Sequence, residues 1–139
     1  MRPYEIFDHT ADTGLRVYGR DLPELFRNGA AGFFDLVTDF GKIRKKEARV
    51  RIEIEKQDPG ELFLAWLREL LYQFSAKHFV FYEFDFSEIG ETKLRAEASG
   101  EIFEPGRHEQ KCEVKAVTYH GFKLERKENL WTAEVIFDI

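Results

Sequence analysis

Residues 58–74, DPGELFLAWLRELLYQF, decide the fold class of this chain because their apolar residues recur at helical rather than strand spacing. Asp58 and Pro59 supply an N-cap and a first-turn proline. The apolar positions follow the series i, i+3, i+4, i+7, i+8 and i+11: Phe63, Trp66, Leu67, Leu70, Leu71 and Phe74. A stripe of this width predicts an amphipathic helix that covers a sheet.

Five other segments alternate apolar and polar residues, which is the period of a strand with one face in water. The clearest is residues 48–55, ARVRIEIE, where every second residue is charged. The others are centred on residues 80–86, 94–98, 114–118 and 133–137, and the alternation is weakest in 114–118. The predicted sheet therefore has strands both before and after the helix.

A second helix is predicted to start at Asp21-Leu22-Pro23. Its buried stripe is Leu22, Phe26, Ala30, Phe33, Phe34 and Val37. A run of late strands with helices segregated from it is typical of an α+β fold. We expect a two-layer sandwich in which both helices pack on one face of a largely antiparallel or mixed sheet. Gly90, residues 104–106 and Gly121 are the predicted reversals between late strands.

The composition favours an ordinary soluble protein, with a single domain predicted over residues 1–139. The net charge of −5 argues against nonspecific nucleic-acid binding, and we interpret the basic cluster of residues 42–51 as a solvated surface. Cys112 is the one cysteine, which excludes an internal disulfide; a Cys112–His108 pair has no nucleophile motif around it. No signal peptide or membrane span is recognisable, and we expect a cytoplasmic protein with no membrane partner.

Carboxylates stand at both extremities of the chain, in FDHTADTG (residues 7–14) and in VIFDI (residues 135–139). Residues 131–137 are predicted to form a buried strand, which would hold Asp138 and the α-carboxylate of Ile139, the two residues that follow it, firmly. Alternation places Asp138 on the face opposite Phe137 and the other apolar residues of that strand. Asp12 is at a predicted turn, where aspartate is common because its side chain bonds local amides.

The plain alternative is that these residues are structural: Asp12 and Asp8 as turn or capping residues, and His9 as a satisfied histidine. If the two ends converge, however, like charges a few ångströms apart repel by roughly 1 to 4 kcal/mol per pair. A divalent cation or proton uptake would relieve that repulsion, and ligands that are all oxygen favour a hard ion. Three protein groups would leave coordination positions open for water, phosphate or a partner.

Three phrases in this order resemble the archease family: YEIFDHTADTGLRVYG at residues 4–19, EVKAVTYHGF at residues 113–122, and the closing VIFDI. The resemblance extends over essentially the whole chain. It implies a protein cofactor, and not an enzyme, for the GTP-dependent tRNA-splicing RNA ligase of the RtcB type. The implied role is to promote guanylylation of the ligase histidine, to restore multiple turnover and to widen nucleotide use beyond GTP.

The resemblance also implies which residues carry that role. Asp12, Asp138 and the terminal Ile139 would be metal ligands, with calcium as the ion and magnesium or manganese as alternatives. Lys115 would serve ligase activation, with Asp8 and His9 in supporting roles, and no catalytic residue is assigned. From alternation alone, Lys115 faces the same way as Val117, and a surface lysine is its plain interpretation.

Partners follow from the same resemblance. The ligase is the first, tRNA is contacted only indirectly through it, and a tRNA methyltransferase is the partner of an alternative, chaperone-like role. Two further alternatives come from the residues themselves. A stand-alone metal-dependent hydrolase could use Asp12 and Asp138, although no phosphate-binding glycine loop or H-E-x-x-H motif is present. An RNA-binding module could use residues 42–51, with strongly salt-dependent affinity.

Overall fold

Two helices and two antiparallel sheets form the part of the chain that the computed structural model describes, residues 2–9 and 12–139. The predicted α+β class is therefore confirmed. In chain order the elements are β1 (Tyr4–His9), β2 (Asp12–Gly19), α1 (Leu22–Val37), a 3-10 turn (Phe40–Lys42), β3 (Ala48–Glu55), α2 (Pro59–Lys77), β4 (Phe79–Ile89), β5 (Lys93–Ile102), β6 (Ala116–Lys127) and β7 (Leu130–Asp138).

The strands divide between a four-stranded sheet, in the order β1-β2-β7-β6, and a three-stranded sheet, in the order β3-β5-β4. The helices hold the two sheets together, since α1 packs on β1, β2 and β7 as well as β4, and α2 packs on β6 as well as β3 and β4. The sequence pattern predicted one sheet. Strand periodicity identifies which face of a strand is buried, but it does not identify the neighbouring strand.

Both helices begin where their caps predict. The Asp21 side chain accepts a hydrogen bond from the Glu24 amide at 2.9 Å, and the Asp58 side chain accepts one from the Glu61 amide at 2.8 Å. Each bond satisfies an N–H that the helix cannot pair internally. Helix α2 ends at Lys77, and the next residue, His78, caps it in a left-handed conformation (φ 60°).

The predicted aromatic stripes meet in the core. The Trp66 indole is fully buried and donates a hydrogen bond to the Phe26 carbonyl at 2.9 Å, which joins α2 to α1. The Phe26 and Phe63 rings pack edge to face with centroids 5.2 Å apart. Each such side chain contributes roughly 1.5–3 kcal/mol on burial. Of the two predicted stripes, Leu22, Leu71 and Phe74 are only partly buried.

One predicted reversal is wrong. Gly121 lies inside β6, at a β-bulge where the pairing with β7 shifts between Thr118 and Lys123. Its positive φ of 67° is the reason that glycine occupies the bulge. The chain reverses later, at Glu128, which has a φ of 56°. Gly90 and residues 104–106 do lie between strands, as predicted.

Candidate functional site

The two carboxylate phrases come together at one end of the four-stranded sheet. Strands β2 and β7 are antiparallel neighbours, and Thr13 is paired with Phe137. The next residues outward, Asp12 at the start of β2 and Asp138 at the end of β7, therefore lie side by side. Residues directly opposite each other in such a pair have Cβ atoms about 4.5–5.5 Å apart. We call Asp12, Asp138 and their cross-strand neighbours the acidic row.

The acidic row faces away from the helices. Thr13 and Phe137 point inward, and the Phe137 ring lies 6.0 Å from that of Phe33 in α1. Because side chains alternate along a strand, Asp12 and Asp138 point to the outer face. Asp138 is exposed and Asp12 is half-buried. The predicted orientation of Asp138 is confirmed, whereas Asp12 lies in a strand and not in the middle of a turn.

Strand β6 brings Lys115 to the same end of the sheet. Ala116 is paired with Asp138, and the Lys115 amide donates a hydrogen bond to the Asp138 carbonyl at 2.7 Å. The Lys115 side chain is exposed. Its predicted alternation with Val117 does not apply, because β6 begins at Ala116 and Lys115 precedes the regular strand. Lys115 is nevertheless hydrogen-bonded directly to the backbone of the acidic row.

Strand β1 extends the row on the other side, where His9 is paired with Asp12. Asp8 is paired with Thr13 instead, so its side chain points to the opposite face from Asp12 and Asp138. Asp8 is exposed there. The structure thus separates Asp8 from the acidic row, while the backbone of His9 belongs to it. Thr10 and Ala11, which connect β1 to β2, lie outside the described residues.

A second layer of contacts on the outer face fixes the three strands relative to one another. Arg16 in β2 bonds Glu5 of β1 at 3.2 Å and approaches Glu134 of β7 at 3.4 Å. Its guanidinium also lies 4.9 Å from the centre of the Phe7 ring. The hydrogen bond to Glu134 raises the pKa of Arg16. The Phe7 ring in turn covers Gly14, where a β-carbon would come within 2.2 Å of it.

The donor atoms of the acidic row fit a hard cation. Within residues 2–9 and 12–139, no three His, Cys, Asp or Glu side chains lie close enough together to hold a metal ion. The predicted set has only two such side chains, since its third ligand is the terminal carboxylate of Ile139. Two carboxylates on one face of neighbouring strands supply the oxygen ligands that calcium or magnesium prefers. The ligand assignment itself remains a prediction.

A buried polar cluster lies elsewhere in the fold, and nothing in the sequence pattern predicts it. The Glu101 carboxylate, 3% exposed, accepts hydrogen bonds from the Arg44 and Lys45 amides at 2.8 and 2.7 Å. The His108 Nε2 lies 2.6 Å from its other oxygen. Burial alone would raise the pKa of Glu101, but these hydrogen bonds outweigh it and lower the pKa. We call this arrangement the Glu101 clasp.

The clasp also excludes the thiol–imidazole pair that the sequence allowed. The His108 Nδ1 accepts a hydrogen bond from the Glu104 amide at 2.9 Å, so both ring nitrogens are engaged away from Cys112. Burial raises the pKa of the Cys112 thiol, which disfavours the nucleophilic thiolate. Neither residue has the environment of a catalytic pair.

Neither α1 nor α2 combines the length and the apolar character that crossing a bilayer requires, within the described part of the chain.

Comparison with known proteins identifies the family. Residues 4–139 match the model of the Archease protein family (MTH1598/TM1083). Archeases of Pyrococcus furiosus and Sulfurisphaera tokodaii are 41% and 39% identical to the chain. Each comparison covers 100% of this chain and 100% of the relative.

Two solved structures share the fold. The solution structure of Methanobacterium thermoautotrophicum protein 1598 superposes with a TM-score of 0.81 at 34% identity, covering 100% of both chains. The crystal structure of a Thermotoga maritima archease, described as a possible chaperone, has a TM-score of 0.70 at 21% identity and covers 100% of this chain and 98% of that one. The family match and the full-length relatives together show that the chain belongs to the archease family.

Proposed function

We propose that this protein is an accessory activator of a GTP-dependent tRNA-splicing RNA ligase of the RtcB type. In this role it promotes guanylylation of the ligase histidine, supports multiple turnover and widens nucleotide use. The observation that carries the proposal is the pairing of Thr13 with Phe137, because it sets Asp12 beside Asp138 at one exposed sheet end. Membership of the archease family supports the same role.

The acidic row is the proposed working surface. Asp12, Asp138 and the terminal carboxylate of Ile139 would hold a divalent cation, calcium first and magnesium or manganese as alternatives. When bound, the cation would neutralise these carboxylates and leave coordination positions for phosphate oxygens. The protein's own contribution is geometric: neighbouring strands hold the carboxylates on one face, so that little ordering is needed when the ligase docks.

Lys115 is the proposed phosphate contact. Its backbone amide donates a hydrogen bond to the Asp138 carbonyl, so Lys115 lies beside the acidic row along the backbone, and its side chain is exposed. A lysine ammonium is a compact charge with three donors, and it suits a triphosphate that approaches the same surface. We assign His9 and Asp8 supporting roles, with Asp8 acting from the opposite face of the sheet.

The test is multiple-turnover ligation by the purified ligase with and without this protein. Asp138→Asn and Lys115→Ala should each reduce the stimulation at least tenfold while the variants remain folded. The matched controls are Asp85→Asn and Lys127→Ala, which make the same charge changes at exposed positions away from the acidic row. Full stimulation by folded Asp138→Asn and Lys115→Ala proteins would refute the assignment.

Two direct measurements separate the proposal from its alternatives. Titration calorimetry with calcium should show binding that Asp138→Asn weakens, and that one residue added after Ile139 also weakens. The extension converts the terminal carboxylate to an amide and leaves every side chain intact. Metal-dependent nucleotide hydrolysis by the isolated protein would instead support a stand-alone hydrolase. Stimulation of a tRNA methyltransferase without any effect on ligation would support the chaperone-like role.

A further inference from the structure

Four of the five residues 42–46 are cationic, in a protein whose net charge is −5. We call this segment the basic loop. Lys42 and Lys46 have carboxylate neighbours, Asp39 at 3.9 Å and Glu83 at 3.1 Å. The remaining two cations, Arg44 and Lys45, are exposed and form no ion pair with any residue in the described ranges 2–9 and 12–139. Their charges are therefore available to a partner.

The backbone that carries these two cations is held in place from beneath. Both amides donate to one oxygen of the buried Glu101 carboxylate, and Ile43, just before them, is 3% exposed and packs into the core. With the backbone of the dipeptide directed inward, its side chains extend into solvent. A cationic pair on a fixed backbone loses less conformational entropy on binding than one on a free loop.

Aromatic side chains lie beside Arg44, one of these two cations. A shallow cavity of about 410 Å³ is lined here by Phe40, Ile43, Arg44 and Tyr82. Phe40 and Tyr82 are both only partly buried. An anionic protein segment requires cations alone, whereas single-stranded nucleic acid uses cations for phosphates and aromatic rings for stacked bases.

The basic loop and the acidic row occupy the same end of the domain. The carboxyl-terminal half of α1 packs beside Phe137, and the basic loop follows shortly after α1 ends at Val37. The Val37 carbonyl accepts a hydrogen bond from the Lys111 amide at 2.8 Å. The chain runs from there over four residues to Lys115. The basic loop and Lys115 are thus each connected within a few residues to the carboxyl-terminal end of α1.

We infer that the basic loop, with Arg44 and Lys45 as its charges and Tyr82 as its stacking surface, contacts single-stranded RNA directly. The choice of RNA over other polyanions rests on the proposed function, because the ligase joins RNA ends. The contact is weak and independent of sequence, and it departs from the expectation drawn from the sequence that residues 42–51 are only a solvated surface and that RNA is reached through the ligase alone. Its effect is to hold an RNA end beside the acidic row after the ligase has docked.

The test measures RNA binding by the isolated protein, so it does not depend on the ligase. Fluorescence anisotropy with a labelled oligouridylate of roughly twelve nucleotides, at several salt concentrations, gives the affinity and its salt slope. Removing two phosphate contacts should reduce the slope of log K against log salt by about 1.4 in magnitude. Arg44→Ala/Lys45→Ala should show this loss, and its fold should be intact because Glu101 binds the backbone of these residues.

The matched control is Lys123→Ala/Lys127→Ala, which removes two exposed charges from β6 and should leave the slope unchanged. Tyr82→Leu retains apolar bulk but removes the stacking face, and should weaken binding at least fivefold with little change in slope. Equal effects of the two double variants, or equal binding of a polyglutamate peptide, would overturn the inference. If Asp138→Asn loses ligase stimulation but still binds RNA like the wild-type protein, the proposed activator site and the RNA contact act separately.

Discussion

Replacing Glu101 by alanine should destabilise this protein far more than a surface glutamate would, although Glu101 belongs to no predicted site. The carboxylate accepts three short hydrogen bonds, from the Arg44 and Lys45 amides and from His108 Nε2, at 2.6–2.8 Å. Arg107 adds a longer contact at 3.5 Å. Alanine removes the common acceptor and leaves these donors facing one another.

The expected loss follows from these contacts. Hydrogen bonds to a charged group contribute about 1.5–3 kcal/mol each, and removing one partner of a buried charged pair costs about 3–5 kcal/mol in all. We expect the free energy of unfolding to fall by about 3–5 kcal/mol, and not by the sum of the separate hydrogen bonds, because water can reach the exposed side of the basic loop. For a domain of this size, the melting temperature should fall by roughly 6–20 °C. Glu97→Ala, on the same strand, removes only an exposed pair with Arg49 and should cost about 0–1 kcal/mol.

The pH dependence supplies an independent check. Because the folded-state pKa of Glu101 is lowered, its stabilisation is fully present above the unfolded-state value of about 4.3 and is lost as pH falls through the folded value. The difference in unfolding free energy between wild type and Glu101→Ala should therefore be constant near pH 7 and shrink below about pH 4. Urea unfolding over this range measures it. A Glu101→Ala protein as stable as Glu97→Ala, or a difference that does not change with pH, would refute the reasoning.

Three further substitutions test the fold. Gly100→Ala should prevent normal pairing of β4 with β5, because a β-carbon would lie 1.9 Å from the Val80 carbonyl oxygen, whereas Gly90→Ala has open space and should be nearly neutral; expression and thermal melts compare the two. Asp58→Ala should lower the unfolding free energy by about 1 kcal/mol through loss of the α2 cap, as measured by urea titration. Trp66→Phe should cost about 0.5–1.5 kcal/mol in the same titration, since the Phe26 carbonyl in α1 loses the indole donor and retains only its helical one.

The helices and most strands could be predicted because their signals are local. The caps at Asp21 and Asp58 and the stripe beginning at Phe63 depend on residues within a few turns of each other, and the structure reproduces them. The division into two sheets depends on which strands pair across the chain, and periodicity carries no such information. Gly121 was misassigned for a related reason: a positive φ serves a bulge as readily as a turn.

The candidate site was only partly predictable. Sequence reasoning identified Asp12 and Asp138 and the outward face of Asp138, because alternation along a strand is local. It could not separate Asp8 from them, since that requires the pairing of Asp8 with Thr13. The Glu101 clasp was missed altogether: two of its three donors, the Arg44 and Lys45 amides, lie more than fifty residues away along the chain, and nothing about an isolated glutamate near a strand end signals burial.

The register between β2 and β7 is what makes the acidic row possible, and the core enforces it. A shift of one residue would turn Phe137 toward solvent and Asp138 into the space beside Phe33. Burying an unpaired carboxylate there while exposing a fully buried phenylalanine would be strongly unfavourable. The hydrophobic contacts of Phe137 therefore determine where the carboxylate of Asp138 lies. In β7 the buried face of the strand therefore fixes the position of the carboxylate on its exposed face. The short stretch VIFDI contains both the residue that sets the register and the residue that this register exposes.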